Sequence, residues 1–368
     1  MINLQKNIIL INDIAKYVKK YYYIGNETRE KIFIENLYKL FREATYMKTY
    51  VLKDEKELKL LDETMEKIRR EKLPTILGIQ QAILRAVDDY MYKNGVVRLL
   101  PNMLAPITDP LCHSVEECAI TYQGQEFNLT KSMIFHKQIA LSSPNLQKIY
   151  IVSPNVRLEL PERGDKRHLF EFTQVDFEFK DGTMNTVFEF MESLVKYVFD
   201  YIKEECKDKF EKLGIGTSHL NITGPFERHT TQELKAKYGD DFEAIASQKA
   251  TQPFWLINHK REFYDAEDLD NRGTYRNYDL IWPMGYVEGL SGGEREYKYD
   301  RIITRMREAK MDESLLRNYI ELAKRGELPK TAGAGFGVER MTRFVCQQKE
   351  IDDVTVFSRK PGKEKYIF

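Results

Sequence analysis

The sequence predicts an α+β fold, in which strands and helices build a common core behind a helical N-terminal segment. Three observations carry this reading. Apolar residues recur at helical spacing through 75–93 and 185–212, long enough for helices that cover a sheet. The stretch 149–179 reads as strand, polar loop and strand, with side chains alternating in character along its second half. Gly333, Gly335 and Gly337 alternate through a strand end that runs into an apolar pattern at Val338, Met341, Phe344 and Val345.

Length and composition set the bounds. A chain of 368 residues, 42% hydrophobic, can bury a large core in one or two domains. Its 57 basic and 57 acidic residues cancel, whereas dedicated nucleic-acid binders carry a basic excess. Cys112, Cys118, Cys206 and Cys346 show no CxxC spacing, which fits free thiols in a reducing compartment. The N-terminus has no signal-peptide layout, and no apolar run is long enough to span a membrane, so the expected location is cytoplasmic.

Taken in order, residues 1–73 read as helical. Leu4, Ile8, Ile11 and Ile14 share helix spacing, as do Ile32, Leu37, Leu40 and Phe41, with a turn at Gly25-Asn26. No glycine-punctuated series of short strands is present there, so no five-stranded OB barrel is expected. Leu73-Pro74 reads as a break, dividing the chain into 1–73 and 74–368. The helix expected over 75–93 presents Ile76, Ile79, Ile83, Leu84 and Val87 as a stripe. Gly95 stops it, and a strand over 96–100 ends at Pro101. The polar loop 160–166 carries Pro161 and Gly164. The strand after it is expected from about 167 to 179, followed by a turn at Asp181-Gly182 and one helix over 185–212. Further helices are expected over 231–246, 300–310 and 313–324.

Strand parity gathers chemistry on one side. His168, Phe170, Phe172, Gln174, Asp176 and Glu178 fall on one face, and Arg157 and Glu159 share a face of the preceding strand. Arg340 falls in the first turn of a helix after the glycine strand, where free backbone N–H groups and a guanidinium suit a polyphosphate.

The octapeptide 333–340, GAGFGVER, resembles motif 3 of the class II aminoacyl-tRNA synthetases in its aspartyl and asparaginyl form. The helix, strand and proline over 75–101 are similar to motif 1, and Arg157-Leu158-Glu159, Arg167-His168-Leu169 and Glu171-Phe172 to motif 2. The ending 351–362 also looks like that subgroup, and the resemblance covers about 75–364. It implies an antiparallel sheet of about six strands flanked by helices, and a homodimer formed through motif 1. It also implies an ATP site. Arg157 and Arg340 would be catalytic, Arg157 holding the α-phosphate and Glu159 facing the adenine edge. Arg167, His168 and Leu169 would line the nucleotide, and Phe172 and Arg340 would sandwich the adenine. Glu288 and Ser291 would carry Mg²⁺, with Asp279 in reserve for a second ion.

For the amino acid, Ser132-Met133-Ile134-Phe135-His136-Lys137-Gln138 resembles the aspartyl SPQLYKQ, and 171–176 resembles EFTQxD. Lys137 and Arg295 would grip an aspartate carboxylate, Ser291 would contribute to the pocket, and Asp109, Gln174 and Asp176 would meet the ammonium. The chain departs from the family at Thr331, where a histidine is usual, and at Glu294, where a glutamine is common. It also lacks a Glu-Gly-Gly in 105–111. With an aspartate-type pocket, no OB barrel in view and zero net charge, the expected function is ammonia-dependent asparagine synthesis. Its substrates would be L-aspartate, ATP and ammonia, its intermediate a β-aspartyl-adenylate and its products AMP and pyrophosphate, with tRNA an unlikely partner. The alternative is an aspartyl- or asparaginyl-tRNA synthetase without an anticodon module. A non-enzymatic ligand-binding paralogue is disfavoured by the retention of Arg157, Glu159, Glu288 and Arg340.

Overall fold

A computed structural model describes residues 55–268, 270–363, 366 and 368. The helical reading of 1–54, and the absence of an OB barrel there, lie outside the described residues. Two compact units divide the chain, Met1–Met65 and Glu66–Tyr366, and every residue of the candidate site belongs to the second. No helix among the described residues is long and apolar enough to cross a membrane.

The first helix is α1 (Glu55–Ile68), followed by α2 (Leu73–Lys93). Pro74 does not break the chain. It sits in the first turn of α2, where its missing N–H costs nothing. Of the expected stripe, Ile76, Ile79, Ile83 and Val87 are buried, the last three at 0% exposure, and Leu84 is half-buried. Short strands follow: β1 (Val97–Leu99), β2 (Leu104–Ala105), β3 (Val115–Glu116), β4 (Ala119–Tyr122) and β5 (Gln125–Leu129). Next come α3 (Ile134–Ala140), β6 (Lys148–Val156), β7 (Leu158–Glu159) and β8 (Glu171–Lys180). The expected strand over 167–179 therefore starts late. Asp165 Oδ1 accepts from the backbone N–H of Arg167 and of His168, at 2.7 and 3.0 Å, and turns the chain before it can pair.

The helix expected over 185–212 is two, α4 (Met184–Glu205) and α5 (Lys207–Leu213), separated at Cys206. After β9 (Glu227–Thr230), the helix expected over 231–246 is likewise α6 (Thr231–Tyr238) and α7 (Phe242–Lys249). Gly239, at φ 77°, takes the left-handed turn that ends α6. The remaining elements are β10 (Phe254–Ile257), β11 (Asn277–Trp282), β12 (Val287–Glu294), α8 (Tyr299–Glu308), α9 (Arg317–Lys324), β13 (Thr331–Gly337) and α10 (Val338–Val345).

Eight strands form the main sheet in the order β1-β6-β8-β13-β12-β11-β10-β9. The six from β6 to β10 are antiparallel, as expected, while β1 and β9 add to the edges in parallel with β6 and β10. Helices α2, α4 and α10 pack on one face. There Val175, Phe177 and Phe179 of β8 join Phe188, Phe199, Trp282 and Phe344 in the main core. A second cluster, including Phe135, Phe263, Tyr264, Ile302 and Tyr319, gathers α3, α8 and α9. With β8 anchored by its apolar residues, parity turns Phe172, Gln174, Asp176 and Glu178 to the opposite face.

Candidate active site

The glycines of β13 have a specific reason. A Cβ on Gly333 would stand 2.2 Å from Glu178 Oε2 and 2.2 Å from the Phe177 carbonyl oxygen. On Gly335 it would stand 2.2 Å from Gln174 Nε2 and 2.6 Å from Asp176 Oδ1. The strand must be bare on this face because the polar side chains of its neighbour β8 lie across it. Gly337 meets nothing closer than 3.5 Å, the Arg340 side chain, and serves instead as the N-cap of α10.

Those side chains form a buried ionic floor. Lys137 Nζ, from α3, lies 2.9 Å from Asp176 Oδ1 and 3.4 Å from Glu178 Oε2. Arg295, just past β12, donates through Nε to Glu178 Oε1 at 3.1 Å, and its Nη1 is 3.6 Å from Asp265 Oδ1. Thr331, where the family histidine was expected, donates its hydroxyl to Glu178 at 2.8 Å. Burial works against the Arg295 charge, but Glu178 and Asp265 outweigh it and raise its pKa further. The two cations therefore meet three carboxylates, Asp176, Glu178 and Asp265. The expectation that Lys137 and Arg295 wait for a substrate carboxylate needs correcting: each is already ion-paired. Charge alone thus does not choose aspartate over asparagine. Gln174 accepts from Asn155 Nδ2 at 2.6 Å, which aims its own amide nitrogen at Gly335. Asp109 is held by Ser132 Oγ at 2.9 Å and Tyr264 OH at 3.1 Å.

The other end is rich in guanidinium groups. The Arg157 guanidinium lies 5.2 Å from the Phe172 ring centroid, and its Nε donates to the Lys131 carbonyl at 3.0 Å. Arg340 Nη1 donates to the Glu288 backbone carbonyl at 3.1 Å and lies 3.0 Å from Glu288 Oε1, tying α10 to β12. Glu339 accepts from Thr173 N–H at 3.0 Å, fixing the start of α10 against β8. Burial pushes its pKa up to about 7. Glu159 pairs with His113 at 3.0 Å. His168 Nδ1 is 2.8 Å from Asp165, and burial, then Arg340, lowers its pKa and favours the neutral ring. Arg167 lies beside the same Asp165 at 3.2 Å. Asp279 receives Arg261 at 3.1 Å on both oxygens. Burial works to raise its pKa, but Arg261 and His259 override it and keep the carboxylate ionised.

All the residues given a site role from the sequence except Asp279 line one cavity of about 300 Å³: Asp109, Lys137, Arg157, Glu159, Arg167, His168, Leu169, Phe172, Gln174, Asp176, Glu288, Ser291, Arg295 and Arg340. Glu262, Tyr264 and Asp265 line it too, although the stretch 262–264, similar to the subgroup in its place along the chain, was given no site role in the sequence. Glu178, which parity placed on the same face as Asp176, was given no role in the sequence reading. Among the described residues no three His, Cys, Asp or Glu side chains converge as a metal cage. Glu288, Ser291 and Asp279 offer hard oxygen donors, the set that suits a magnesium ion completing its shell with phosphate oxygens and water.

The sequence profile of the tRNA synthetases class II (D, K and N) matches residues 55–361. The chain belongs to this family. Similar relatives of this class II synthetase include an asparagine–tRNA ligase of Thermoplasma acidophilum, 26% identical over 333 residues, covering 86% of this chain and 76% of the relative. An aspartate–tRNA(Asp/Asn) ligase of Methanopyrus kandleri is 27% identical over 317 residues, covering 81% and 70%. The asparaginyl-tRNA synthetase of Pyrococcus horikoshii, crystallised with asparaginyl-adenylate, superposes with a TM-score of 0.74 at 25% identity, over 83% of this chain and 72% of that one. These matches overturn the expectation of an ammonia-dependent asparagine synthetase with tRNA an unlikely partner, since the relatives are named for ligation to tRNA. Two arguments misled. The OB barrel was judged absent from a segment lying largely outside the described residues. Zero net charge is a whole-chain average that leaves local basic surface open.

Proposed function

We propose that this class II synthetase activates aspartate or asparagine with ATP and passes the acyl group to tRNA, with 74–368 as its catalytic domain. One observation carries the reading: the guanidinium-rich end and the ionic floor open into a single cavity, so a triphosphate and a small amino acid can meet there. In the first step the amino acid's α-carboxylate attacks the α-phosphorus and pyrophosphate leaves. Arg157 stabilises the charge that develops on the α-phosphate, while Phe172 and Arg340 take the adenine between them. Glu159 meets the adenine edge, and Arg167, His168 and Leu169 border the nucleotide. A magnesium ion held by Glu288 and Ser291 would offset phosphate charge. Lys137 and Arg295, kept in place by Glu178, orient the substrate side chain, and Gln174 and Asp176 meet its ammonium. In the second step a terminal tRNA hydroxyl attacks the acyl carbonyl and AMP leaves.

A homodimer fits the same reading. Tyr92 and Leu100, at the ends of α2 and β1, are 86% and 84% exposed beside the edge strand β1. Sedimentation of a fully active monomer would exclude it. The deciding assay is exchange of labelled pyrophosphate into ATP with each amino acid, followed by transfer of labelled amino acid to tRNA. Exchange with neither aspartate nor asparagine overturns the proposal.

A further inference from the structure

One buried carboxylate oxygen at the nucleotide end of the cavity has no donor. The Glu159 side chain is 5% exposed and lines the cavity, and its Oε2 makes no hydrogen bond. Arg163 Nη1 stands 3.5 Å from that oxygen, on a side chain 41% exposed. The other oxygen, Oε1, is 3.0 Å from His113 Nε2. Burial works to raise the Glu159 pKa, but His113, Arg163 and Arg157 outweigh it and keep the group ionised. A carboxylate only accepts, so His113 Nε2 carries the proton and donates.

The backbone brings His113 to this place. Asp109 is held by Ser132 and Tyr264, and its Oδ1 accepts from the Leu111 N–H at 3.0 Å, where the chain turns at φ 57°. The chain then pairs as β3 with β7, Val115 opposite Glu159, which sets His113 against the Glu159 side chain. Beyond β3, Glu117 receives Lys131 Nζ at 2.7 and 2.9 Å, and the Lys131 carbonyl accepts from Arg157 Nε at 3.0 Å. The segment 109–117 is thus fastened at both ends. Between them His113 lines the same cavity as Arg157 and Phe172.

We infer that His113 is a positioning residue of the nucleotide end: it fixes one oxygen of Glu159 and so presents the other, Oε2, as the acceptor for the 6-amino group of adenine. The inference rests on the proposed ATP site. It adds the residue that aims Glu159 and the choice of base that follows. A buried acceptor without a donor costs free energy until a ligand supplies one. The 6-amino group of adenine supplies it, whereas a 6-oxo group sets a second acceptor against the carboxylate. Without His113, the carboxylate is free to turn toward Arg163 and away from the base.

The test compares ATP with inosine triphosphate, which carries a 6-oxo group, in pyrophosphate exchange by the wild type, His113→Ala and His113→Gln. The wild type should favour ATP by about 100-fold in kcat/KM, the worth of a hydrogen bond to a charged group. In His113→Ala the KM for ATP should rise about tenfold while those for inosine triphosphate and the amino acid hold. In His113→Gln, whose amide N–H can replace that of the ring, the preference should return. Calorimetry of the two nucleotides binding to each protein reads the same preference without catalysis. Should His113→Ala fail to fold, His113→Gln and the wild-type calorimetry carry the test. Equal affinity of the wild type for both nucleotides, an unchanged ratio in His113→Ala, or a folded His113→Gln without the preference overturns the inference alone. So does a rise of every KM together in His113→Ala, which marks a merely structural role. Preferential ATP binding without exchange in the wild type removes the activation reading and supports this inference; binding of neither nucleotide removes both.

Discussion

Replacing Gly333 by alanine tests why β13 is glycine-rich. The added methyl group would lie 2.2 Å from Glu178 Oε2 and 2.2 Å from the Phe177 carbonyl oxygen. Neither can yield easily. The carbonyl belongs to the paired strand β8, and Glu178, at 0% exposure, is bound to Arg295, Thr331 and Lys137 at once. Overpacking a rigid site costs about 1–3 kcal/mol. If Glu178 instead swings out, a buried ion pair is broken at about 3–5 kcal/mol. The expected loss is therefore at least about 1 kcal/mol, and about 3–5 kcal/mol if Glu178 swings out. The control is Gly337→Ala in the same motif, where the nearest atom is 3.5 Å away. As an N-cap change from glycine to alanine, it should cost less than about 1 kcal/mol. Urea unfolding followed by circular dichroism compares the two. Equal midpoints for both variants would refute the bare-face explanation and leave the glycines to a ligand-contact role.

Other outcomes follow from the same geometry. Lys137→Met leaves Asp176 without its cation and Glu178 with Arg295 alone, so it should lower stability by about 3–5 kcal/mol and raise the amino-acid KM far more than the ATP KM. Thermal unfolding and pyrophosphate exchange read the two effects, and a stable protein with normal amino-acid dependence contradicts the floor described above. Arg340→Ala should raise the ATP KM by about 10- to 100-fold, the worth of a charge-assisted contact, and an unchanged ATP KM would remove Arg340 from the nucleotide. Glu339 has a folded pKa of about 7, above the usual value for glutamate. The stability it contributes is fully present below its unfolded pKa and is lost as pH rises through about 7. Glu339→Gln should therefore unfold at higher urea than the wild type at pH 8 but not at pH 4.5. A constant difference across that range would exclude the titration.

Local periodicity explains what could be read in advance. The stripe on α2, the alternation along β8 and the glycine spacing of β13 repeat within a few residues, so they survive without knowledge of the partner strand. Element ends were less legible. Pro74 reads as a break but opens α2, and Asp165 delays β8 by capturing two backbone N–H groups. These details depend on which neighbour takes each hydrogen bond.

The sequence by itself determined which side chains share a face, because parity and helical pitch are properties of the backbone. It also determined the family, because the motif residues follow one another in a set order along the chain. Tertiary structure decided which charges meet. Lys137 reaches Asp176 from 39 residues away and Arg295 reaches Glu178 from 117 residues away. Coulomb energies depend on distance in space and on burial, neither of which is written in spacing along the chain. The same reason hid Glu262. In the sequence it is one glutamate beside an arginine, but in the fold it lines the cavity while that arginine turns to Asp279.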